Sequence, residues 1–176
     1  MKKTLILGGA RSGKSSLAER LAKTSELVTY IATATAFDAE MSQRIKLHQQ
    51  QRPKTWHLLE CPLLLSEALH QLSGSGQTLL VDCLTLWLNN QLYHSPDQNF
   101  AFLRQQLAEA VAQFEGQLIL VSNEVGMGLV PLGELNRLFV DQQGWLNQQL
   151  AAVCDDVVFV AAGLPLYLKR GADATD

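Results

Sequence analysis

The sequence is poor in cysteine, in basic charge and in long apolar runs, and each shortage argues against a class of protein. Its 176 residues include 3 cysteines, Cys61, Cys83 and Cys154, which lie far apart without a C-x-x-C spacing; this disfavours a disulfide framework or a zinc site. The formal net charge is −3, whereas nucleic-acid-binding domains are usually basic. No apolar run is long enough for a membrane span or a signal peptide. We therefore expect a cytoplasmic protein with reduced thiols and no nucleic-acid partner.

The composition is otherwise that of an ordinary globular protein. Hydrophobic residues make up 47% of the chain and charged residues 18%, which leaves enough apolar side chains for a sizeable core. The length suits one domain, and the sequence contains no internal repeat and no low-complexity tract. We expect a single domain over residues 1–170, followed by a flexible tail over residues 171–176.

The strongest pattern is a glycine-rich stretch between an apolar run and a helix-forming run. Its residues are Gly8, Gly9, Ala10, Arg11, Ser12, Gly13, Lys14 and Ser15. The spacing matches the Walker A motif, in which backbone N–H groups cradle a phosphate at the start of a helix. Lys14 would reach the β- and γ-phosphates, and Ser15 would bind Mg²⁺. The alternative is an ordinary glycine turn between a strand and a helix.

A second pattern is an apolar strand that ends in an acidic residue. Residues 78–81 are apolar or β-branched and are followed by Asp82. In a Walker B motif such a carboxylate lies beside the glycine loop and holds Mg²⁺, directly or through water. An aspartate that caps the next helix is the alternative. Together with the Walker A match, the pattern favours a nucleotide-binding domain.

The end of another predicted strand carries small polar residues. Residues 27–32 are β-branched, aromatic or apolar, which is typical of a buried strand, and Thr33, Ala34 and Thr35 follow. Ligands of open α/β sheets bind at the carboxyl ends of the strands. We therefore expect these residues to border the site.

Two further strands are predicted to end at the same edge. Residues 55–60 form a short strand that ends at Glu60, before a helix over residues 61–72. Residues 117–122 form a buried strand that runs into the irregular, glycine-containing segment 123–131. This segment either borders the site or is a plain connector to the next helix.

A basic helix is predicted between the second and third strands. Asp38 is a plausible N-cap and Pro53 a stop signal. Arg44, His48 and Arg52 recur at intervals of four residues, so they align on one helical face. Such a face suits a site that meets phosphates, but on spacing alone a solvated basic face with an incidental histidine is favoured.

Strands and helices alternate along almost the whole chain. Further helices are predicted over residues 84–93, 99–114 and 132–153, a strand over residues 156–161 and an edge strand over residues 164–168. The alternation predicts an α/β fold with a mainly parallel sheet and helices on both faces.

These motifs together resemble one family over nearly the whole chain. The resemblance rests on residues 8–15, residues 30–33, Arg44-Ile45 with His48, Arg52-Pro53 and residues 123–128. The family that the chain resembles is the bifunctional adenosylcobinamide kinase/adenosylcobinamide-phosphate guanylyltransferase of cobalamin biosynthesis. The resemblance implies a RecA-like P-loop fold and a homo-oligomer, with trimers known in the family.

The resemblance also implies two reactions. In the first, a nucleoside triphosphate, ATP or GTP, phosphorylates adenosylcobinamide. In the second, GTP gives GMP to a histidine, which passes it to the phosphorylated corrinoid. His48 matches that histidine, and Leu47 stands where some relatives have a second one.

The catalytic residues implied are therefore His48 and Lys14. The nucleotide contacts implied are Gly8, Gly9, Ala10, Arg11, Ser12, Gly13, Lys14, Ser15, Thr33, Ala34, Thr35, Gln49, Gln50, Gln51, Arg52, Glu60 and Asp82. Mg²⁺ would be held by Ser15 and Asp82. The alternatives are a P-loop small-molecule kinase without the covalent step, and a nucleotide-switched binding protein or ATPase motor subunit.

Overall fold

The structure is a computed structural model that describes residues 2–35, 43, 53 and 55–172. Its strands are β1 (Lys3–Gly8), β2 (Val28–Ala32), β3 (His57–Glu60), β4 (Thr78–Asp82), β5 (Gln117–Val121), β6 (Asp156–Ala161) and β7 (Leu164–Lys169). Its helices are α1 (Lys14–Ala22), α2 (Leu65–Leu72), α3 (Leu84–His94), α4 (Phe100–Gln113) and α5 (Glu134–Val153).

The described strands form one sheet, in the order β3-β2-β4-β5-β1-β6-β7. Neighbouring strands are parallel, except that β6 and β7 form an antiparallel pair. The predicted mainly parallel sheet is therefore confirmed. The predicted edge strand is confirmed as well, since β7 carries Pro165 and has one neighbour. Because β5 lies between β1 and β4, the carboxyl ends of these three strands adjoin.

Alternate residues of the central strands face two different cores. On β1, Leu5 and Leu7 pack in a core with apolar side chains of α2, α3, α4 and α5. Ile6 packs in a second core with Leu17 and Ala18 of α1. Helices on both faces were predicted and are confirmed. Within the described part of the chain the layers are unequal, with α1 on one face and the other four helices opposite.

The helix after β3 begins later than the sequence predicts. A start at residue 61 was expected, whereas α2 begins at Leu65. Cys61 instead continues the extended chain, and its N–H donates to the carbonyl O of Ala32 at 2.8 Å. A proline disfavours the helical conformation in the residue before it, so Cys61, which precedes Pro62, stays outside the helix. The other described elements agree with their predicted bounds to within two residues at each end.

The helix predicted over residues 38–53, which carries Arg44, His48 and Arg52, lies outside the described residues apart from two isolated positions. Among the described residues, the helices are too short or too polar to span a lipid bilayer.

Candidate nucleotide-binding site

β1 ends in a loop whose backbone requires glycine at two places. Gly8 has a φ of 151°, and a Cβ built there would lie 2.4 Å from the carbonyl O of Val160 on β6. Gly13 has a φ of 100°, and its Cβ would lie 3.1 Å from the Cα of Gly163. Both positions are disfavoured for a side chain by conformation and by space. The loop then turns directly into α1, which is the strand–loop–helix order of a Walker A motif.

The side chain of Lys14 is turned into this loop. Lys14 is 7% exposed, and its Nζ donates to the carbonyl O of Gly9 at 2.5 Å. Burial lowers the pKa of Lys14, against the opposing influence of Cys83 and Asp82. A phosphate would offer the ammonium group a charged acceptor, which binds more strongly than a carbonyl. The lysine is therefore already directed at the place where the loop would cradle a phosphate.

Two hydroxyl groups converge on one carboxylate oxygen at the end of β4. Ser15 Oγ donates to Asp82 Oδ2 at 2.9 Å, and Tyr30 OH donates to the same oxygen at 3.1 Å. The residue at the N-cap of α3 is Cys83, without a side-chain cap, so Asp82 does not cap that helix. The Walker A serine and the acidic residue of β4 are therefore in direct contact. Tyr30 was named from the sequence only as part of the family resemblance and was given no role at the site, because its place in an apolar strand is also that of a packing residue.

Thr33 joins the ends of β2 and β4. Its Oγ1 donates to the carbonyl O of Cys83 at 2.7 Å and accepts from the N–H of Cys83 at 2.9 Å. Asn90 Nδ2 on α3 donates to the carbonyl O of Thr33 at 2.7 Å. Thr33 is fully buried, so these bonds fix the chain beside Asp82. A direct contact of Thr33 with a nucleotide stays a prediction.

The segment after β5 borders the glycine loop, as one of the two alternatives predicted. The N–H of Glu124 donates to the carbonyl O of Gly8 at 3.0 Å. Glu124 Oε1 accepts from the N–H of Gly126 at 3.0 Å. The segment is therefore tied to the loop through its backbone, with the Glu124 carboxylate close by.

Buried polar side chains of α5 support the start of that segment. Ser122 Oγ donates to Asn147 Oδ1 at 2.7 Å, and Gln143 Nε2 donates to Ser122 Oγ at 2.9 Å. Asn147 Nδ2 donates to the carbonyl O of Asn123 at 3.1 Å. The sequence reasoning missed this network. Two amide residues four positions apart in a long helix were the available signal.

The turn between β6 and β7 supports the glycine loop from the other side. The N–H of Gly163 donates to the carbonyl O of Ser12 at 2.8 Å. Ala162 and Gly163 both have positive φ, at 51° and 79°, as a tight hairpin turn requires. This contact was also missed, because no local pattern links residue 163 to residue 12.

The remaining predicted residues are partly at the site and partly outside the described chain. Ala34 and Thr35 follow β2 and are half-buried, and Glu60 is exposed at the end of β3, where its register partner is Ala32. The predicted residues outside the described part are His48, Gln49, Gln50, Gln51 and Arg52. Their placement in the site stays a prediction.

The donor set at the site suits a metal ion that arrives with a nucleotide. Among the described residues, no group of three His, Cys, Asp or Glu side chains could hold a metal ion. Ser15 and Asp82 offer a hydroxyl and a carboxylate oxygen, and Mg²⁺ typically takes one or two protein oxygens together with phosphates and waters. Burial raises the pKa of the Cys83 thiol to about 12, and Asp82 adds to the effect. The thiol is therefore protonated at neutral pH, and a protonated thiol is a poor nucleophile.

Comparison with known proteins identifies close relatives. A sequence model of the family described as "Cobinamide kinase / cobinamide phosphate guanyltransferase" matches residues 4–168. The chain is 54% identical to the "Bifunctional adenosylcobalamin biosynthesis protein CobP" of Pseudomonas aeruginosa, over 94% of this chain and 96% of that protein. It is 38% identical to the "Bifunctional adenosylcobalamin biosynthesis protein CobU" of Escherichia coli, over 94% of this chain and 98% of that protein.

Similarity to solved structures extends to more distant proteins. A prototypical ATPase from the type III secretion system of pathogenic bacteria matches 94% of this chain with 56% of its own, at a TM-score of 0.53 and 12% identity. At that identity the likeness concerns the fold alone. It agrees with the RecA-like P-loop fold that the resemblance implied.

Proposed function

The chain belongs to the cobinamide kinase / cobinamide phosphate guanyltransferase family, and from this premise we propose that it is a bifunctional enzyme of adenosylcobalamin synthesis. In the kinase reaction, a hydroxyl of adenosylcobinamide loses its proton and attacks the γ-phosphorus of ATP or GTP, while the bond from this phosphorus to the bridging oxygen breaks and the nucleoside diphosphate leaves. In the second reaction, GMP passes from GTP to adenosylcobinamide phosphate and gives adenosylcobinamide-GDP. The observation that carries the proposal is the contact of Ser15 with Asp82 at the mouth of a glycine loop that encloses Lys14.

The arrangement of the described residues supports a role in phosphoryl transfer. Phosphoryl transfer depends on positioning and on stabilising negative charge rather than on covalent chemistry by the protein. The backbone of the glycine loop would position the phosphates, and Lys14 would exchange its bond to Gly9 for the β- and γ-phosphates. Tyr30 and Ser15 hold the Asp82 carboxylate in one orientation. The same loop would serve GTP in the second reaction.

We propose that Mg²⁺ accompanies the nucleotide. Ser15 Oγ and Asp82 Oδ2 would hold it, and its chemistry there is to neutralise charge on the phosphate oxygens. The oxygen-only character of this pair and the neutral Cys83 thiol beside it support the choice of a hard cation.

The second reaction is proposed to use His48 as the nucleophile. A neutral imidazole is available near pH 7. Its nitrogen forms a bond to the α-phosphorus of GTP while the bond to pyrophosphate breaks. A phosphate oxygen of the phosphorylated corrinoid then attacks the same phosphorus, and the N–P bond breaks. The support is the position of His48 between Arg44-Ile45 and Arg52-Pro53, together with the family membership.

Incubation with GTP labelled at the α-phosphate tests the covalent step. We expect acid-labile label on the wild-type protein and none on His48→Ala. His70→Ala is the matched control, since His70 is an exposed histidine on α2, and it should label normally. Addition of adenosylcobinamide phosphate should then discharge the label into the corrinoid product.

The other possible results of this experiment contradict the covalent step or favour a different function. Label on His48→Ala would contradict His48 as the nucleophile. Phosphorylated corrinoid without any protein label would support the simpler kinase. Nucleotide hydrolysis without any phosphorylated corrinoid would favour a nucleotide-switched protein.

We also propose a cellular compartment and an oligomeric state for the enzyme. Its three cysteines are free and buried, which suits a reducing cytoplasm. Large apolar side chains are exposed after β5 and on β7, among them Leu129 and Leu132, each 98% exposed, and Leu164, 72% exposed. Exposed apolar clusters of this kind often mark contacts between proteins. We propose that copies of this chain cover them in a homo-oligomer, with a trimer as the expectation from the family.

A further inference from the structure

A cavity of about 680 Å³ opens between α4 and α5. It lies in the layer of four helices, on the face of the sheet opposite α1. None of the residues that line it belongs to the glycine loop or to the strand ends around Asp82. The proposed kinase and transferase reactions leave it without a role.

The cavity contains a buried arginine, Arg104, that has no carboxylate partner among the described residues. Arg104 is 7% exposed. Its Nη1 donates to Gln142 Oε1, and its guanidinium lies over the ring of Trp145, 5.1 Å from the centroid. Its Nε is buried and has no hydrogen-bond partner in the described part of the chain. The charge is therefore met by one amide and one aromatic face, and part of its donor capacity is unused.

Such an arrangement is costly without an anion. Burial lowers the pKa of Arg104, which expresses the loss of hydration around the charge. An arginine nevertheless stays protonated in proteins. An amide oxygen and a ring face offset only part of the lost hydration. A bound phosphate or carboxylate would accept bidentate hydrogen bonds from the planar guanidinium.

The other lining residues favour an anion as well. Apart from Arg104 they are uncharged, so no carboxylate repels an incoming anion from the cavity wall. The first residues of α4 belong to the wall, and the helix dipole there favours negative charge, although Asn99 Oδ1 already accepts from the N–H of Phe102. Gln149 Oε1 is a second buried polar atom in the lining without a partner among the described residues; as an acceptor it would bind a donor group of the ligand and not its anionic group. Phe100 and Trp145 add apolar walls.

We propose that the cavity between α4 and α5 is a binding site for a small anion, held through its phosphate or carboxylate group by Arg104. The ligand stacks its apolar part against Trp145 and directs its charge to the guanidinium. The proposal does not depend on the function proposed for the glycine loop.

The Nε–H resonance of Arg104 in the wild-type protein gives a local readout of binding. Inorganic phosphate and acetate are titrated separately at constant ionic strength maintained with potassium chloride. We expect a saturable shift of this resonance with at least one of the two anions and none with chloride alone. A response to phosphate alone assigns a phosphoryl ligand, and a response to acetate alone assigns a carboxylate. Phosphate bound at the glycine loop is distinguished because it would shift Lys14 and the loop amides instead.

Variants separate binding from a purely structural role. The same titration followed through Trp145 fluorescence should lose its saturable response in Arg104→Gln, or weaken by about tenfold or more, as expected for loss of a charge-assisted hydrogen bond. Trp145→Phe identifies the part of the signal that comes from this ring. Arg170→Gln is the matched control, since Arg170 also lies over an aromatic ring, that of Tyr167, and should respond like the wild type.

Three results would overturn the proposal. They are the absence of a saturable shift with either anion, an equal shift with potassium chloride, and an unchanged response in a folded Arg104→Gln. Any of them would leave Arg104 as a structural tie between α4 and α5.

Discussion

At the scale of single residues, the described part of the candidate site is held in place by its own hydrogen bonds. Lys14 is buried and bonded to a carbonyl of its own loop. Asp82 is oriented by two hydroxyl groups from different elements. Because these side chains are already ordered, little side-chain entropy remains to be lost on binding. Preorganised charge of this kind is what phosphoryl transfer draws on.

Lys14→Ala should abolish most kinase activity. The substitution removes the main protein cation near the γ-phosphate, and loss of one such group typically costs about 10²–10³ in kcat. The measurement is the rate of corrinoid phosphorylation at saturating nucleotide. Because burial lowers the pKa of Lys14, the wild-type rate should also fall at high pH, as the ammonium loses its proton. Lys23→Ala, at an exposed position just after α1, should retain normal activity. Near-normal turnover of Lys14→Ala would contradict the role of the loop.

At the scale of elements, two supports hold the glycine loop from opposite sides. The turn between β6 and β7 bonds to Ser12. The segment after β5 bonds to Gly8 through Glu124, and this segment in turn depends on the amides of α5. A chain of contacts therefore runs from the middle of α5 to the glycine loop. The position of the loop depends on elements more than 100 residues away in the sequence.

Asn147→Ala should destabilise the protein by about 1–3 kcal/mol, because the buried Ser122 hydroxyl loses its acceptor and the carbonyl of Asn123 loses its donor. Chemical denaturation measures this loss. The backbone N–H of Glu124 should also exchange with solvent faster, since its segment is no longer anchored. Gln148→Ala, at the exposed neighbouring position of α5, should change stability by less than about 0.5 kcal/mol. Equal stability of the two variants would show that the network does not anchor the segment.

At the scale of the whole molecule, the centre of the sheet is covered by helices, whereas its edge at β7 is open to solvent. Its centre is covered on both faces by the two cores, whereas every residue of the edge strand β7 is exposed. Leu164, Leu166 and Leu168 alternate along β7, so they share one face. An uncovered apolar edge strand invites association. This is the physical reason for proposing a homo-oligomer.

Leu166→Lys should reduce the assembled size of the protein in sedimentation experiments. A charge at this position would be buried without a partner in an interface, whereas in a monomer it stays in water. Phe102→Lys is the control, since Phe102 is also exposed, on α4, and it should assemble normally. The unfolding free energy of a monomeric variant should be nearly unchanged. A wild-type monomer, or identical assemblies of wild type and Leu166→Lys, would contradict the proposal.

The sequence by itself determined the order of strands and helices, the glycine loop and the acidic end of β4. These are local features, since apolar periodicity and glycine spacing are fixed by a few neighbouring residues. Among the described elements, the predicted helix start at Cys61 is wrong, because the proline that follows disfavours the helical conformation at this residue. The motif resemblance likewise identified the family without any knowledge of distant contacts.

The tertiary structure alone decided which distant groups meet. It placed Tyr30 on Asp82, Gly163 against Ser12 and Asn147 beneath the segment after β5. It also opened the cavity around Arg104 between two helices. The residue pattern within one helix or strand does not predict these contacts, because they depend on strand order and on how helices pack across the sheet. The spacing of residues along the chain determines which functional motifs are present. The packing of strands and helices determines which of their side chains lie in one site.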